Sequence, residues 1–386
     1  MKAAVLAAGE GSRLWPLTRR RPKPMLPVAN RPLLEYVIEA IADAGIDEIV
    51  LVVGYQRDRI QTYFEDGDAW GVDIEYVTQE TQLGTGHAVA QLEGHMTDEF
   101  LVLNGDRLLE PSLITQVMAA ATDDVAATVG ITPVEDPRRY GVVSTDGDTL
   151  LDIDEKPAGE VASDIINAGV YHLSPRIFEI LDLMAATPDD ELSLPRAITE
   201  LATEDTVRAA RYRGTWLDVS QLWDLLAIND AVLAREDSPI EGTHHDSAVV
   251  GERVCSRPDT RVGRNATVMR GTALGSNVSV GAGAVVTNTI VFDDVTIQPG
   301  AVVRDCIIGE NATIGANATV GGGRSSLVVD GTVYDDVALG AVIGDRTRVG
   351  SGAVIEPGTV IGDGTTVADG VVLAGRIDAN STIVRG

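Results

Sequence analysis

Lysine is nearly missing from this chain. Among 386 residues there are 30 lysines and arginines against 58 aspartates and glutamates, a formal net charge of −28, and lysine stands only at positions 2, 23 and 156. So acidic a surface excludes nucleic acid and anionic membrane as partners. Cysteine is almost as scarce. Cys255 and Cys306 have no metal-ligand spacing and read as two small buried residues rather than a disulfide. No apolar run approaches the about 18 residues that a membrane span needs, and no charged-then-apolar leader precedes the first short apolar run, so a cytoplasmic protein is expected. Excess acid with so little lysine matches proteins of cells that keep high internal salt, where screening makes a large net charge tolerable. The length allows two domains, each with its own core.

What is present is concentrated near the start. An apolar run, Ala3 to Ala7, reads as a buried first strand and leads into LAAGEGSRLWPLTRRRPKPMLPV, Leu6 to Val28. Gly9 and Gly11 leave the backbone free to close N–H groups around a polyphosphate, with Ser12 as a further donor. Arg13 adds a planar fork for phosphate oxygens and Lys23 a mobile point charge. Prolines at 16, 22, 24 and 27 stiffen the returning arm. The spacing is neither that of a P-loop nor that of a dinucleotide fingerprint.

Residues 1 to about 235 alternate short apolar runs with helical patterns, which predicts a parallel sheet flanked by helices. Strands are expected at Glu48 to Val53, Asp73 to Val77 and Phe100 to Asn104, with helices at Pro32 to Ala44, Gln56 to Phe64 and Thr85 to Leu92. Ligands in such sheets sit at the carboxyl ends of the strands, where the first loop and Asp106 both fall. Asp106, in VLNGDRLL, ends a buried strand and needs a cation; Mg²⁺ suits it, because it takes carboxylate and phosphate oxygens together. Thr85 reads as the cap of its helix, and His87 as a packed rather than catalytic histidine. A polar stretch from Ser238 to Ser247, with His244 and His245 solvated, reads as a linker.

Beyond it the pattern changes. An aliphatic residue followed by glycine or another small residue recurs every six positions, at Ile308, Ile314 and Val320, then at Ile343, Val349, Ile355, Ile361 and Val367. That period belongs to a solenoid of short parallel strands, and Asn265, Asn277, Asn311 and Asn317 suit corners needing positive φ. The repeat breaks once, at Gly321 to Val337, which reads as an extended loop.

The run from Leu6 to Val28 resembles the signature of the sugar nucleotidyltransferases, LAAGxGxRLxPLTxxxPKPxLPV, enzymes that join a nucleoside triphosphate to a sugar 1-phosphate. The C-terminal period resembles the left-handed β-helix of hexapeptide acyltransferases. Together they imply an α/β protein: a Rossmann-like, mostly parallel sheet forming a nucleotidyltransferase domain at 1–236, a linker at 237–247, and a left-handed parallel β-helix of hexapeptide repeats at 248–386. The two-domain layout is similar to that of the bifunctional N-acetylglucosamine-1-phosphate uridylyltransferase and glucosamine-1-phosphate acetyltransferase family, archaeal type.

Further expectations follow from the resemblance. Leu6, Ala8, Gly9, Gly11 and Ser12 would bind the nucleotide. In TQETQLGTGHAV, Gln79 and Gln82 would face a uracil edge with Gly84 and Thr85 beside it. YGVV, DEKP and INAGVYHL would supply Gly141, Glu155, Lys156, Asn167 and Gly169 to the sugar, and GTWLDVSQLWD would supply Asp218 as the second Mg²⁺ ligand beside Asp106. Arg13 would meet the departing phosphates and Lys23 the reacting group. The partners implied are UTP or dTTP and a sugar 1-phosphate, and the β-helix implies a trimer. Family members often add acetyl transfer from acetyl-CoA, which wants a histidine base supported by lysines. No histidine follows His245 and no lysine follows Lys156, and Pro299 aligns near the histidine's place.

Overall fold

In the computed structural model the described residues are all but 160, 162, 186–190, 236–238, 330 and 386. They form two compact units. The first holds Met1–Glu10, Pro22–Met25 and Leu33–Asp218; the second holds Gly11–Arg21, Leu26–Pro32 and Val219–Gly386. The chain therefore enters the second unit at Gly11, long before its C-terminal half begins.

The first unit opens with β1 (Lys2–Leu6). The ribbon β2 (Pro27–Val28) and β3 (Arg31–Pro32) belongs to the second unit, after which α1 (Leu33–Asp43), β4 (Glu48–Val53), α2 (Arg57–Phe64), β5 (Asp73–Thr78), α3 (Thr85–Ala90) and β6 (Phe100–Asn104) follow. Helix α1 forms because Leu34, Val37, Ile38 and Ile41 recur at helical spacing and are all fully buried. It ends before Gly45, whose φ of +86° suits the left-handed stop of a helix. Strands β5, β4, β1 and β6 lie side by side and parallel, with Leu6 next to both Val52 and Asn104. From β1 the chain turns first to β4 on one side and later to β6 on the other. The carboxyl ends of β1 and β6 are thus the topological switch point, where open α/β sheets bind ligands.

Past β6 come β7 (Arg107–Leu109), α4 (Pro111–Ala120), β8 (Ala127–Pro133), β9 (Gly141–Asp146), β10 (Thr149–Glu155), β11 (Ile165–Leu173), α5 (Arg176–Ala185), α6 (Leu194–Glu204), β12 (Val207–Arg211) and β13 (Trp216–Asp218). The nine-stranded sheet runs β5-β4-β1-β6-β11-β8-β12-β10-β9. It is parallel on the side of the glycine loop, while β11 is antiparallel to both its neighbours β6 and β8. Alternate residues of the strands face two cores, Ala3, Val5, Leu51 and Leu103 on one side and Ala4, Val50, Val52 and Val102 on the other.

In the second unit α7 (Asp224–Leu233) precedes three sheets of short parallel strands. Val262 stands beside Val280, and Val280 beside Ile297, so that aliphatic side chains stack coil upon coil. Ile308, Ile314, Val320, Ile343, Ile355 and Ile361 are each 0 % exposed in one continuous core. The corners follow the expected chemistry, with φ of +55°, +53°, +59° and +55° at Asn265, Asn277, Asn311 and Asn317. Left-handed backbone costs an ordinary L-residue about 1–2 kcal/mol, and asparagine less. Asn311→Ala should accordingly lower stability by about 1 kcal/mol and Asn311→Gly by close to nothing, read by denaturant unfolding.

Two expectations need correction here. Gly321 to Val337 is a β-hairpin in which Arg324–Val329 pairs antiparallel with Thr332–Ala338. Its alternation of buried Leu327, Val329 and Val337 with exposed neighbours is a strand period that the surrounding repeat masks. The stretch expected as linker already contains solenoid backbone, because Thr243–His244 pairs parallel with Arg261–Val262; residues 237 and 238 lie outside the described residues. Both cysteines are free and buried, and desolvation pushes each thiol up to about 12. Among the described residues no helix is long and apolar enough to cross a membrane.

Candidate active site

The residues expected to meet the base lie at the ends of β1, β4 and β5. Leu6 closes β1, and Ala8 just beyond it accepts hydrogen bonds from the Tyr55 N–H at 3.3 Å and from Gln82 Nε2 at 2.8 Å. Gly54 lets these loops close, since a Cβ there would sit 3.0 Å from both the Ala8 side chain and the Gln79 carbonyl. The result is a cleft of about 370 Å³ lined in part by Glu10, Tyr55, Arg57, Gln79 and Gln82. Gln79 is 4 % exposed, and its Nε2 donates to the Gly84 carbonyl at 3.1 Å. Gly84 has φ of +105°. Thr85 does not cap its helix as expected: Gly84 is the N-cap, and the Thr85 hydroxyl instead accepts the Leu194 N–H at 3.0 Å.

At the switch point Lys23 Nζ lies 2.5 Å from Asp106 Oδ2. Burial disfavours the ionised carboxyl, but the Lys23 ammonium and the Arg107 guanidinium outweigh it and hold Asp106 below the usual carboxylate range. Strand β7 then pairs antiparallel with β13 and sets Arg107 opposite Asp218. Arg107 Nε stands 3.6 Å from Asp218 Oδ1, with the two side chains 15 % and 5 % exposed. The two aspartates expected to share a metal therefore flank one arginine, a residue that sequence reasoning passed over inside its own motif.

Arg107 also reaches the residues expected to meet the sugar. Its Nη1 donates to the Asn167 carbonyl at 3.3 Å, and its guanidinium lies 5.1 Å over the Trp216 ring. Asn167 is 5 % exposed; its Nδ2 donates to the Tyr171 hydroxyl at 2.6 Å and its Oδ1 accepts the Gly169 N–H at 2.9 Å. Burial pushes the Tyr171 hydroxyl up to about 12. The register of β11 against β8 slips between Asn167 and Tyr171, and Gly169 occupies this bulge with φ of +73°. A Cβ at Gly169 would collide with the Arg107 guanidinium and lie 2.6 Å from Asn104 Nδ2, so the glycine is what lets Arg107 pass. Glu155 pairs directly with Gly141 across β10 and β9, and Lys156 follows with φ of +49°, its N–H held by the Tyr140 carbonyl at 3.0 Å.

The first unit thus carries Leu6, Ala8, Gly9, Lys23, Gln79, Gln82, Gly84, Thr85, Asp106, Gly141, Glu155, Lys156, Asn167, Gly169 and Asp218. A Cβ at Gly9 would meet nothing within 4 Å, so packing alone does not demand that glycine. Gly11, Ser12 and Arg13 belong to the second unit. Gly11 is left-handed at φ +66°, Ser12–Leu14 forms a 3-10 turn behind it, and Thr18 Oγ1 donates to the Gly11 carbonyl at 2.8 Å.

A family model described as nucleotidyl transferase matches residues 2–235; a GMPPB C-terminal domain model matches 250–339, and a bacterial transferase hexapeptide model of six repeats matches 340–375. The chain is 31% identical over 376 residues to the bifunctional protein GlmU of Methanococcus maripaludis, covering 91% of this chain and 89% of that protein. It is 32% identical over 356 residues to a glucose-1-phosphate thymidylyltransferase of Streptomyces antibioticus, covering 90% and 99%. The crystal structure of a UDP-glucose pyrophosphorylase complexed with UDP-glucose superposes with a TM-score of 0.56 at 26% identity, over 61% of this chain and 99% of that one. The chain belongs to the nucleotidyl transferase family, in a form that carries hexapeptide repeats in its C-terminal part.

Proposed function

We propose that the protein transfers a uridylyl group from UTP to a sugar 1-phosphate, N-acetylglucosamine 1-phosphate first among candidates, with release of pyrophosphate. The observation that carries this reading is the line of polar contacts in the first unit that links Lys23 to Asp106 and the adjoining Arg107 to Asp218, Asn167 and, through Asn167, Gly169. It joins the end of the phosphate loop to the expected sugar residues. Relatives whose names include a glucose-1-phosphate thymidylyltransferase, and a structural neighbour holding UDP-glucose, support a sugar phosphate as acceptor.

A phosphate oxygen of the sugar 1-phosphate attacks the α-phosphorus in line as the bond to pyrophosphate breaks. The nucleophile is already anionic, so no general base is needed and catalysis rests on positioning and charge. Asp106 and Asp218, two hard carboxylates on either side of Arg107, would hold a bound Mg²⁺, with phosphate oxygens and water filling its other places. Bound there, the ion would neutralise charge gathering on the phosphates. Lys23 holds Asp106 ionised and would meet the α-phosphate; the departing phosphates are the role that the resemblance assigns to Arg13. Arg107 fixes Asp218 and the Asn167 backbone together. We assign the β-helix a structural part, assembly as a trimer, and place the enzyme in the cytoplasm of a high-salt cell.

The test is pyrophosphate release in high potassium chloride with Mg²⁺, pairing UTP and dTTP each with N-acetylglucosamine 1-phosphate and glucose 1-phosphate. Turnover is expected with UTP and N-acetylglucosamine 1-phosphate. Folded protein that turns over none of the four pairs would sink the reading.

A further inference from the structure

We infer that His87 is a positioning residue: by fixing the amide of Gln79 it makes the base cleft accept a pyrimidine whose ring N3 carries a proton and reject cytosine. The inference rests on the proposed reading that this cleft takes the base of a pyrimidine nucleotide.

Gln79 ends its side chain between two groups of α3 and its approach. Nε2 lies 3.1 Å from the Gly84 carbonyl and 2.9 Å from His87 Nδ1. Either end of an amide can look alike, but a carbonyl oxygen only accepts. The atom facing Gly84 must therefore be the NH₂. His87 Nδ1, touching the same NH₂, must then be the acceptor, which puts the imidazole proton on Nε2. The Gln91 NH₂, which donates to the His87 carbonyl at 3.2 Å, stands 3.4 Å from Nε2, too long to compete with the 2.9 Å bond in setting the tautomer.

With both amide protons engaged, Oε1 is the atom Gln79 keeps for a ligand. It can only accept. Uracil and thymine present a donor at N3 and satisfy it; cytosine presents a lone pair at N3, and two opposed acceptors at the buried Gln79 amide leave both unsatisfied. His87 can impose this because its turn is fixed from behind. The Gly86 N–H donates to the Leu192 carbonyl at 2.7 Å, and a Cβ at Gly86 would lie 2.9 Å from that oxygen. Remove the imidazole and Gln79 loses one of the two bonds that oppose a flip of its amide.

The experiment compares kcat/KM for UTP and CTP, with the same sugar 1-phosphate, in wild type, His87→Leu and His87→Asn. His87→Leu is expected to raise the CTP:UTP ratio about tenfold or more, mainly through KM, with an unchanged melting temperature. His87→Asn, whose Oδ1 falls where Nδ1 stood, is expected to restore the wild-type ratio. A folded His87→Leu with the wild-type ratio overturns the inference, as does His87→Asn behaving like the leucine variant. Imidazole ¹⁵N shifts of the wild-type protein decide independently of either variant's folding: an Nε2–H tautomer is expected, and an Nδ1–H tautomer overturns the assignment. Wild-type protein that takes neither UTP nor dTTP, or prefers a purine triphosphate, would instead remove the proposed function, and the inference with it.

Discussion

Asp106→Asn is expected to lower kcat/KM by about 10³-fold or more while the protein stays folded. Asparagine keeps the shape and can still accept a hydrogen bond from Lys23 at the 2.5 Å contact, so packing at the end of β6 is preserved. What disappears is the negative charge that draws a divalent cation and keeps Lys23 in place. The loss should appear in kcat, and raising Mg²⁺ should recover little of it, as read by pyrophosphate release. The pH dependence has a definite sign. Because Lys23 and Arg107 hold the Asp106 carboxyl below its ordinary range despite burial, the folded state gains from its ionisation above the unfolded aspartate value, about 3.9. That gain is lost as pH falls through the depressed folded value. The stability difference between wild type and Asp106→Asn should stay flat through neutral pH and change only below about pH 4. A difference that titrates near pH 7 would contradict the ion-paired picture.

A fragment of residues 1–236 is expected to bind the nucleoside triphosphate at least about 100-fold more weakly than the full chain, since misplacing a phosphate-binding loop by about 1 Å can cost that much. The reason lies inside the second unit. Arg21, its side chain 5 % exposed, forms ion pairs with Asp345 at 2.9 Å and Glu310 at 3.1 Å and lies 4.6 Å over the Phe292 ring. Asn30 Nδ2 donates to the Leu274 carbonyl at 2.9 Å, and the amide of Asn229 bridges the Ala29 N–H and the Gly271 carbonyl, each at 2.9 Å. Every C-terminal partner but Asn229 is missing from the fragment, and the segment carrying Gly11, Ser12 and Arg13 loses its support. In the full chain Arg21→Ala should cost about 3–5 kcal/mol, because it strands the buried Asp345 carboxylate. Calorimetric titration of the fragment with UTP, alongside circular dichroism, gives the answer. Affinity equal to that of the full chain would mean that the loop holds its own shape.

Much of this was legible in the sequence where the signal was local. The strands at Glu48–Val53 and Phe100–Asn104 are built on apolar runs of parallel-sheet length, and both form at those bounds. The asparagine corners follow from the need for positive φ in a six-residue period. Long-range pairings were not legible. Nothing near Arg21 announces carboxylates 289 and 324 positions away. Arg107 carries no signal of its own in VLNGDRLL, because its path to Asn167 depends on a bulge at Gly169 that exists only when β11 meets β8. Thr85 was read as a cap by its type, but Leu194, a tertiary neighbour, takes its hydroxyl.

The hairpin at Arg324–Ala338 leaves its flanking coils in step: Ile307 stands beside Val342 and Ile308 beside Ile343, as though nothing lay between them. Elsewhere a coil takes the 18 residues from Val262 to Val280 or the 17 from Val280 to Ile297. The solenoid thus sorts changes of length into two kinds. An insertion at a corner is free in size, because it leaves the stack as an excursion and rejoins at the same rung. Single-residue differences between coils are taken up at corners too, since the strands on either side keep their pairing; a shift within a strand would turn its aliphatic residues outward, so the stack itself grows or shrinks by whole coils. Divergence in this half of the molecule should therefore be discontinuous, with appendages of any length at the corners and rungs counted in whole numbers.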